Sequence, residues 1–405
     1  MSAMKRLFQL MADKKASDIF MSVGSPINIK INGTAIPVNQ TAMDANGIMT
    51  LLNEVISDKQ KKEFEDTLEL NTAASLEGVG NFRISAFRQK NSPAVVVRFI
   101  PGTIPAFDTL NLPAVLKEII MEKRGLILMV GATGSGKSTS LAAMLDYRNE
   151  QKPGHILTLE DPVEFIFKSK KCIVNQREVG TDTLDFKVAL KNALRQAPDC
   201  ILIGEIRDKD TMTSAIAYAQ SGHLCLATLH ANNSYHALGR ILSFYTPEAR
   251  AALLSDLASG LKAVVSQRLV RSSAGGRIPA VEVLLNTKLV AEMIEASDFG
   301  GVKEAMEKSL AEGSQTFEQD LARLITEGKI TRDEGLAFAD SPTNLMWRLQ
   351  NDMTPASRVP PKKEEPDPAS FTEITLDVPA EDPRNTRAGR LTQPGGLTPP
   401  ERVRG

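Results

Sequence analysis

One stretch constrains this chain more than any other. Gly131-Ala132-Thr133-Gly134-Ser135-Gly136-Lys137-Ser138-Thr139 fits G-x-x-x-x-G-K-[ST] and stands between the apolar run Leu126–Val130 and a segment whose Leu141, Met144 and Leu145 recur at helical spacing. Strand, glycine-rich turn and helix in that order make a phosphate cradle. The glycines let backbone N–H groups turn toward phosphate oxygens, and the helix N-terminus adds its positive end. Lys137 meets the β/γ charge, and the Ser138 hydroxyl is a magnesium ligand. The loop thus predicts a nucleoside triphosphate site with Mg²⁺, in a domain where strands and helices alternate.

Other apolar runs supply the remaining strands. Ile156–Glu160, Cys200–Gly204 and Leu224–Leu229 lack polar alternation, as strands buried on both faces do, which predicts a mainly parallel sheet covered by helices. Asp185 can cap a helix whose stripe is Phe186, Ala189, Leu190, Ala193, Leu194 and Ala197, stopped by Pro198. From about Lys303 to Gln350 the pattern is helical throughout, with a turn near Gly328. Upstream, Ile27, Ile29 and Ile31 alternate with polar residues, Asn32-Gly33 reads as a hairpin turn, and Phe82–Phe87 and Ala94–Phe99 are β-rich. We therefore expect a smaller α+β domain at 1–100, a proline-marked linker at 101–113, and the nucleotide domain with C-terminal helices at 114–352. Residues 353–405 hold ten of the 22 prolines and one aromatic, Phe371, and are expected to form a disordered tail.

Composition narrows the class. Hydrophobic residues make up 42% of 405, enough for a large core, and 48 basic against 49 acidic side chains argue against a nucleic-acid binder held by bulk charge. Three cysteines, Cys172, Cys200 and Cys225, form no CxxC pair and read as reduced thiols of a cytoplasmic protein. No apolar run approaches the roughly 18–20 residues of a transmembrane helix. Charges at Lys5, Arg6, Asp13, Lys14 and Lys15 leave no room for a signal peptide.

Phosphoryl transfer to water needs a carboxylate for the water, a metal to gather charge, and cations for the transition state. Glu160, Asp161 and Glu164 lie at the end of one apolar strand and Glu205 at the end of another, where ligands bind in open α/β sheets. Glu205 resembles the glutamate of a Walker B strand, within reach of Mg²⁺ or its water shell. His223 and His230 flank an apolar run. Their separation places them on opposite faces of a strand, which disfavours a shared metal with Cys225 and favours a sensor that hydrogen-bonds near the γ-phosphate.

Taken in order, the phosphate loop, Leu159–Glu164, Leu194–Asp199, Gly204–Asp208 and Gly222…His230 resemble the secretion-ATPase superfamily, and within it the PilT/PilU-type retraction motors of type IV pili. The opening Ala16–Ser22 and Asn32-Gly33 extend the likeness over roughly residues 1–350. The resemblance implies a cytoplasmic homohexamer at the inner-membrane pilus base, each subunit a PAS-like domain followed by a RecA-like ATPase domain with ATP between them. It implies a catalytic role for Glu164, a Walker B role for Glu205, histidine-box roles for His223 and His230, and nucleotide contacts from Arg83 and Arg98 of the PAS-like domain. Implied partners are an inner-membrane platform protein and a PilT-type retraction ATPase. Leu289–Ala296 does not reproduce the Ala-Ile-Arg-Asn-Leu-Ile-Arg-Glu segment of PilT-type chains, and Lys308–Phe317 with the long tail looks more PilU-like. Phe20 replaces a usual histidine, and Tyr245-Thr246-Pro247 a usual Phe-Phe-Pro. The absence of paired cysteines sets the chain apart from assembly-type ATPases with their tetracysteine zinc element. Alternatives are an accessory ring with slight turnover that depends on PilT, a related secretion ATPase, a RecA-like DNA translocase, for which no aromatic–basic stretch is present, and a small-molecule P-loop kinase.

Overall fold

A computed structural model describes residues 2–31, 33–101, 103–308 and 311–352. The expected tail at 353–405 and Asn32 of the expected hairpin turn lie outside the described residues.

The first quarter of the chain is one antiparallel sheet with helices on one face. Its elements are α1 (Ala3–Asp13), β1 (Asp18–Ser22), β2 (Asn28–Ile31), β3 (Thr34–Pro37), α2 (Ala45–Asn53), α3 (Asp58–Thr67), β4 (Glu69–Leu76), β5 (Gly80–Gln89) and β6 (Ser92–Pro101), with strand order β3-β2-β1-β6-β5-β4. Lys90 and Asn91, at φ 47° and 61°, make the tight β5–β6 turn, the backbone twist a two-residue hairpin favours. Strand alternation decides which side chains face the helices. Phe82, Ile84, Val95 and Val97 point into a core with Phe8, Ile48, Leu52 and Phe64, and Phe8 stacks on Phe82 with centroids 3.9 Å apart. Arg83 and Arg98, cross-strand partners, share the opposite face.

The chain then passes through a 3-10 turn at Phe107–Thr109, where Phe107 is buried, into α4 (Val115–Ile119) and the nucleotide domain. That domain runs β7 (Gly125–Val130), α5 (Lys137–Gln151), β8 (Gly154–Glu160), β9 (Cys172–Glu178), α6 (Phe186–Ala193), β10 (Cys200–Ile203), α7 (Lys209–Gln220), β11 (Leu224–Leu229), α8 (Ser234–Ser243), α9 (Pro247–Gly260), β12 (Leu261–Arg271) and β13 (Arg277–Leu285). It closes with α10 (Lys288–Glu295), α11 (Phe299–Lys308), α12 (Phe317–Thr326), α13 (Arg332–Phe338) and α14 (Pro342–Asp352). The sheet order is β13-β12-β7-β11-β10-β8-β9, all parallel except the β12–β13 hairpin. Every residue of β7, β10 and β11 is buried, so their sequences carry no alternation. Helix α5 is tied to the approach to the sheet by Arg148, whose fully buried guanidinium donates to Ile120 and Glu122 carbonyls at 2.6 and 3.0 Å.

Two expected helical stretches are shorter than their patterns. Asp185 does cap α6, accepting from Val188 N at 2.7 Å, but the helix ends at Ala193, Leu194 turns outward, and Ala197 is left-handed at φ 48°. Pro198 bars right-handed helix for the residue before it, so the tightening starts a turn early. The 303–350 stretch is not helical throughout. Gln315 leaves helical geometry to bridge Val283 on β13, and Thr316 starts a new helix with a capping box to Gln319. A second break precedes α14.

Phe82→Ala removes a ring packed on Phe8 and Phe99 in this small core. It should destabilise the N-terminal domain by about 3–5 kcal/mol, measured by denaturant unfolding; a cost below 1 kcal/mol would mean that the site collapses around the loss.

Candidate active site

Parallel pairing brings several strand ends to one edge. Val130 pairs with Leu229 on β11, and Ile203 on β10 pairs with both Ala227 on β11 and Leu159 on β8. The residues that follow, the phosphate loop, His230, Glu205 and Glu160–Glu164, therefore leave the sheet side by side. They line a cleft of about 330 Å³ together with Arg83, Arg207 and Phe186.

The loop is built by its backbone. Gly131, Gly134 and Gly136 have φ of 154°, 78° and 86°, and a Cβ on Gly136 would stand 2.7 Å from Gln267 Nε2. Lys137 is buried and donates to the carbonyls of Gly131 and Ala132 at 2.7 and 2.9 Å. Burial lowers its pKa, while the charges of Glu205 and Glu164 act in the opposite sense. Ser135 Oγ is buried with no hydrogen-bond partner, a donor without an acceptor inside the turn that should cradle phosphate. These features fit a nucleotide phosphate chain. For Mg²⁺ the fit is narrower: among the described residues no cluster of three or more His, Cys, Asp or Glu could hold a metal. The Ser138 hydroxyl and Glu205, which line the same cleft, suit an ion bound through one or two protein groups and substrate phosphates.

Glu205 is held from two sides. Its Oε2 accepts from Arg207 at 2.8 and 2.9 Å, and its Oε1 lies 3.2 Å from His230 Nε2. Arg207 also reaches Asp161 at 3.6 Å. Glu160 is different in kind. It is buried and accepts from Thr158 Oγ1 at 2.6 Å and Gln176 Nε2 at 3.2 Å, all neutral donors. Glu164 is exposed on the loop that follows, and β9 fastens that loop: Glu178 accepts from Val163 N at 3.0 Å, and Gln176 bonds Phe165 O and Phe167 N, both at 2.8 Å.

Not every expected site residue reaches the cleft. His223 stands before β11, with its ring on Ser221 Oγ at 3.0 Å, and His230 stands after it. Six strand residues put them about 20 Å apart, so this chain's own cleft brings in only His230. Arg83 lines the cleft, whereas Arg98 donates to Asp18 at 2.9 Å. The sequence reading assigned no role to Arg207, Gln176, Glu178 or Gln267. Only Arg207, two residues after Glu205, carried a signal that could have marked it.

Burial raises the Glu160 carboxyl above its ordinary value, against the lowering effect of its Thr158 and Gln176 hydrogen bonds. With the folded value above the unfolded one, this group favours the folded state below an unfolded value near 4.5 and loses that contribution as pH rises through the folded value. Glu160→Gln should therefore stabilise the chain at mildly alkaline pH, with a gain that shrinks on acidification. Denaturant titrations across pH measure it, and a gain independent of pH would remove the carboxyl as its cause.

Comparison with known proteins places this geometry in a family. The type II/IV secretion system protein family model matches residues 2–331. The chain is 46% identical over 347 residues to the type IV pilus ATPase PilU of Pseudomonas aeruginosa, covering 85% of this chain and 91% of that protein. It is 38% identical over 339 residues to the PilT retraction ATPase of the same organism, covering 84% and 98%. A crystal structure of the pilus retraction motor PilT with bound ADP superposes with a TM-score of 0.79 at 35% identity, covering 86% of this chain and 99% of that one. The chain belongs to the type II/IV secretion system protein family, and within it to the pilus ATPases of PilU and PilT type.

Proposed function

We propose that this chain is the subunit of a homohexameric, Mg²⁺-dependent ATPase motor of PilU type that drives type IV pilus retraction together with a PilT-type partner. The observation that carries the reading is the cleft in which Lys137, Glu164, Glu205, His230 and Arg83 meet around the phosphate loop. The N-terminal domain (1–100), joined through 101–113, closes on the ATPase domain (114–352) when ATP binds, and the closed ring acts on an inner-membrane platform protein at the pilus base. Among the described residues no helix is long and apolar enough to cross a membrane, and the chain works from the cytoplasmic side.

Each group has a task that its surroundings suit. Loop N–H groups and Lys137 bind the phosphates, the lysine leaving the Gly131 and Ala132 carbonyls for the nucleotide. Glu164, exposed and in no ion pair among the described contacts though its charge is felt by Lys137, orients and deprotonates the attacking water. Ser138, with Glu205 in the same cleft, would hold Mg²⁺, which would supply positive charge against the phosphate chain. His230, 3.2 Å from Glu205, responds to the γ-phosphate by exchanging that contact. Arg83 adds positive charge from the N-terminal sheet, and Arg98 on the same face is the candidate for a neighbouring subunit's nucleotide once released from Asp18.

Steady-state ATP hydrolysis, with oligomer size recorded on the same sample, tests this. Wild type should be a hexamer that turns over ATP. Glu164→Gln should lose about 10²–10⁴ in kcat, and Arg83→Ala about 10³–10⁵ with the hexamer intact. Turnover by wild type no greater than by Glu205→Ala would overturn the motor reading in favour of an accessory ring that depends on its PilT-type partner.

A further inference from the structure

Strand β12 passes behind the phosphate loop and presents two consecutive side chains to opposite sides. Gln267, buried, faces the loop: its Nε2 donates to Ser135 O at 2.8 Å, and its Oε1 accepts from Ser140 Oγ at 2.7 Å. Arg268 faces the C-terminal helices, and three of their segments converge on its guanidinium. It lies 3.9 Å above the Phe317 ring at the start of α12, donates to Phe338 O at the end of α13, and pairs with Asp340 in the turn before α14.

The same guanidinium grips the segment that leaves the cleft. Arg268 Nη2 donates to Asn232 O at 3.2 Å, and the other oxygen of Asp340 accepts from Asn233 Nδ2 at 2.9 Å. Asn232 is two residues beyond His230, the imidazole that touches Glu205. Past it the chain is fixed: Asn233 Oδ1 caps α8 at His236 N, 3.0 Å away, and the buried Glu282 accepts from Ser234 N at 2.8 Å. So the short link from His230 to α8 is held by a pair that joins strand β12 to the helical layer. The side chains of Arg268 and Asp340 are only 19% and 17% exposed. Separating such a pair costs more than separating a surface one, so a displacement of this link is met more cheaply by carrying the helices than by leaving them.

We propose that Arg268 and Asp340 are a positioning pair that reports the place of His230 in the nucleotide cleft to the α12–α14 layer, through Asn232 and Asn233. This rests on the assignment of that cleft as the nucleotide site. It requires two arrangements of one connected element, biased at one end by nucleotide and at the other by whatever engages α14. The chain carries its own reporter: its single tryptophan, Trp347, lies on α14, 61% exposed, while Leu345 and Leu349 on the same helix are buried.

The experiment is Trp347 emission of the full-length protein titrated with MgAMPPNP, a non-hydrolysable ATP analogue that keeps the γ-phosphoryl group, with binding followed by calorimetry. Wild type should show a saturable emission change. Arg268→Met, which keeps the stem over Phe317, and the isosteric Asp340→Asn should both bind MgAMPPNP and lose the change, with kcat lowered about fivefold or more and KM little altered. Variants that bind and keep the wild-type change, or a wild-type Trp347 that ignores bound nucleotide, would overturn the proposal. So would loss of binding in the folded variants, since the pair would then only hold the site together. Wild type that binds no MgAMPPNP at all would instead defeat the assignment of the cleft.

Discussion

The parallel ladder β7-β11-β10-β8 is the constraint on which the rest of this molecule depends. Its register is fixed by strands that are buried on both faces, so a slip of one residue exposes no polar edge to stop it, and packing against helices on both sides must set the alignment. Once set, it leaves Gly131, His230, Glu205 and Glu160 at one edge without further adjustment. Gly204 shows how tight that edge is: its Cβ position lies 3.2 Å from both Glu160 Cα and Leu159 O, which brings the β8 and β10 ends close enough for one ligand to span them.

Within the edge, two carboxylates reach different states by different partners. Glu160 is buried among neutral donors, and burial makes its charged form costly. Glu205 sits between a guanidinium and an imidazole and is partly open to the cleft, so its charge is compensated without being sealed away. The first suits a group that shapes the start of the Asp161–Glu164 loop; the second suits one that exchanges partners when phosphate arrives. Sequence alone treats both as acidic residues at strand ends.

Much of this was legible because its signals are local. The phosphate loop declares itself by glycine spacing and flanking hydrophobicity, and Asp185 by its place before an apolar stripe. The N-terminal sheet is readable where it alternates, and alternation also places Arg83 and Arg98 on one face. The fold class and family likeness followed from these. What stayed hidden is set by long-range register. Gln267 meets Ser135 across 132 residues, and Gln176 and Glu178 act only because β9 runs beside β8. Their side chains look like ordinary solvated polar residues of an edge strand. Histidine spacing spoke against a site shared by His223 and His230, and within one chain the two bracket β11 lengthwise, with His230 at the cleft and His223 at the far end.

Of the described residues lining the cleft, Arg83 alone comes from the N-terminal sheet. That asymmetry bears on how force could arise. A ligand moves a domain only through contacts that differ between open and closed arrangements. If most cleft contacts lie within the ATPase domain, they bind nucleotide equally in both arrangements and contribute nothing to closure. The differential term then falls on the few groups that reach across, chiefly Arg83, and on the γ-phosphate that distinguishes ATP from ADP. Under the proposed motor reading, a rigid sheet carrying the affinity and a single arginine carrying the difference would let hydrolysis, which removes one phosphate, release the domain without first releasing the nucleotide.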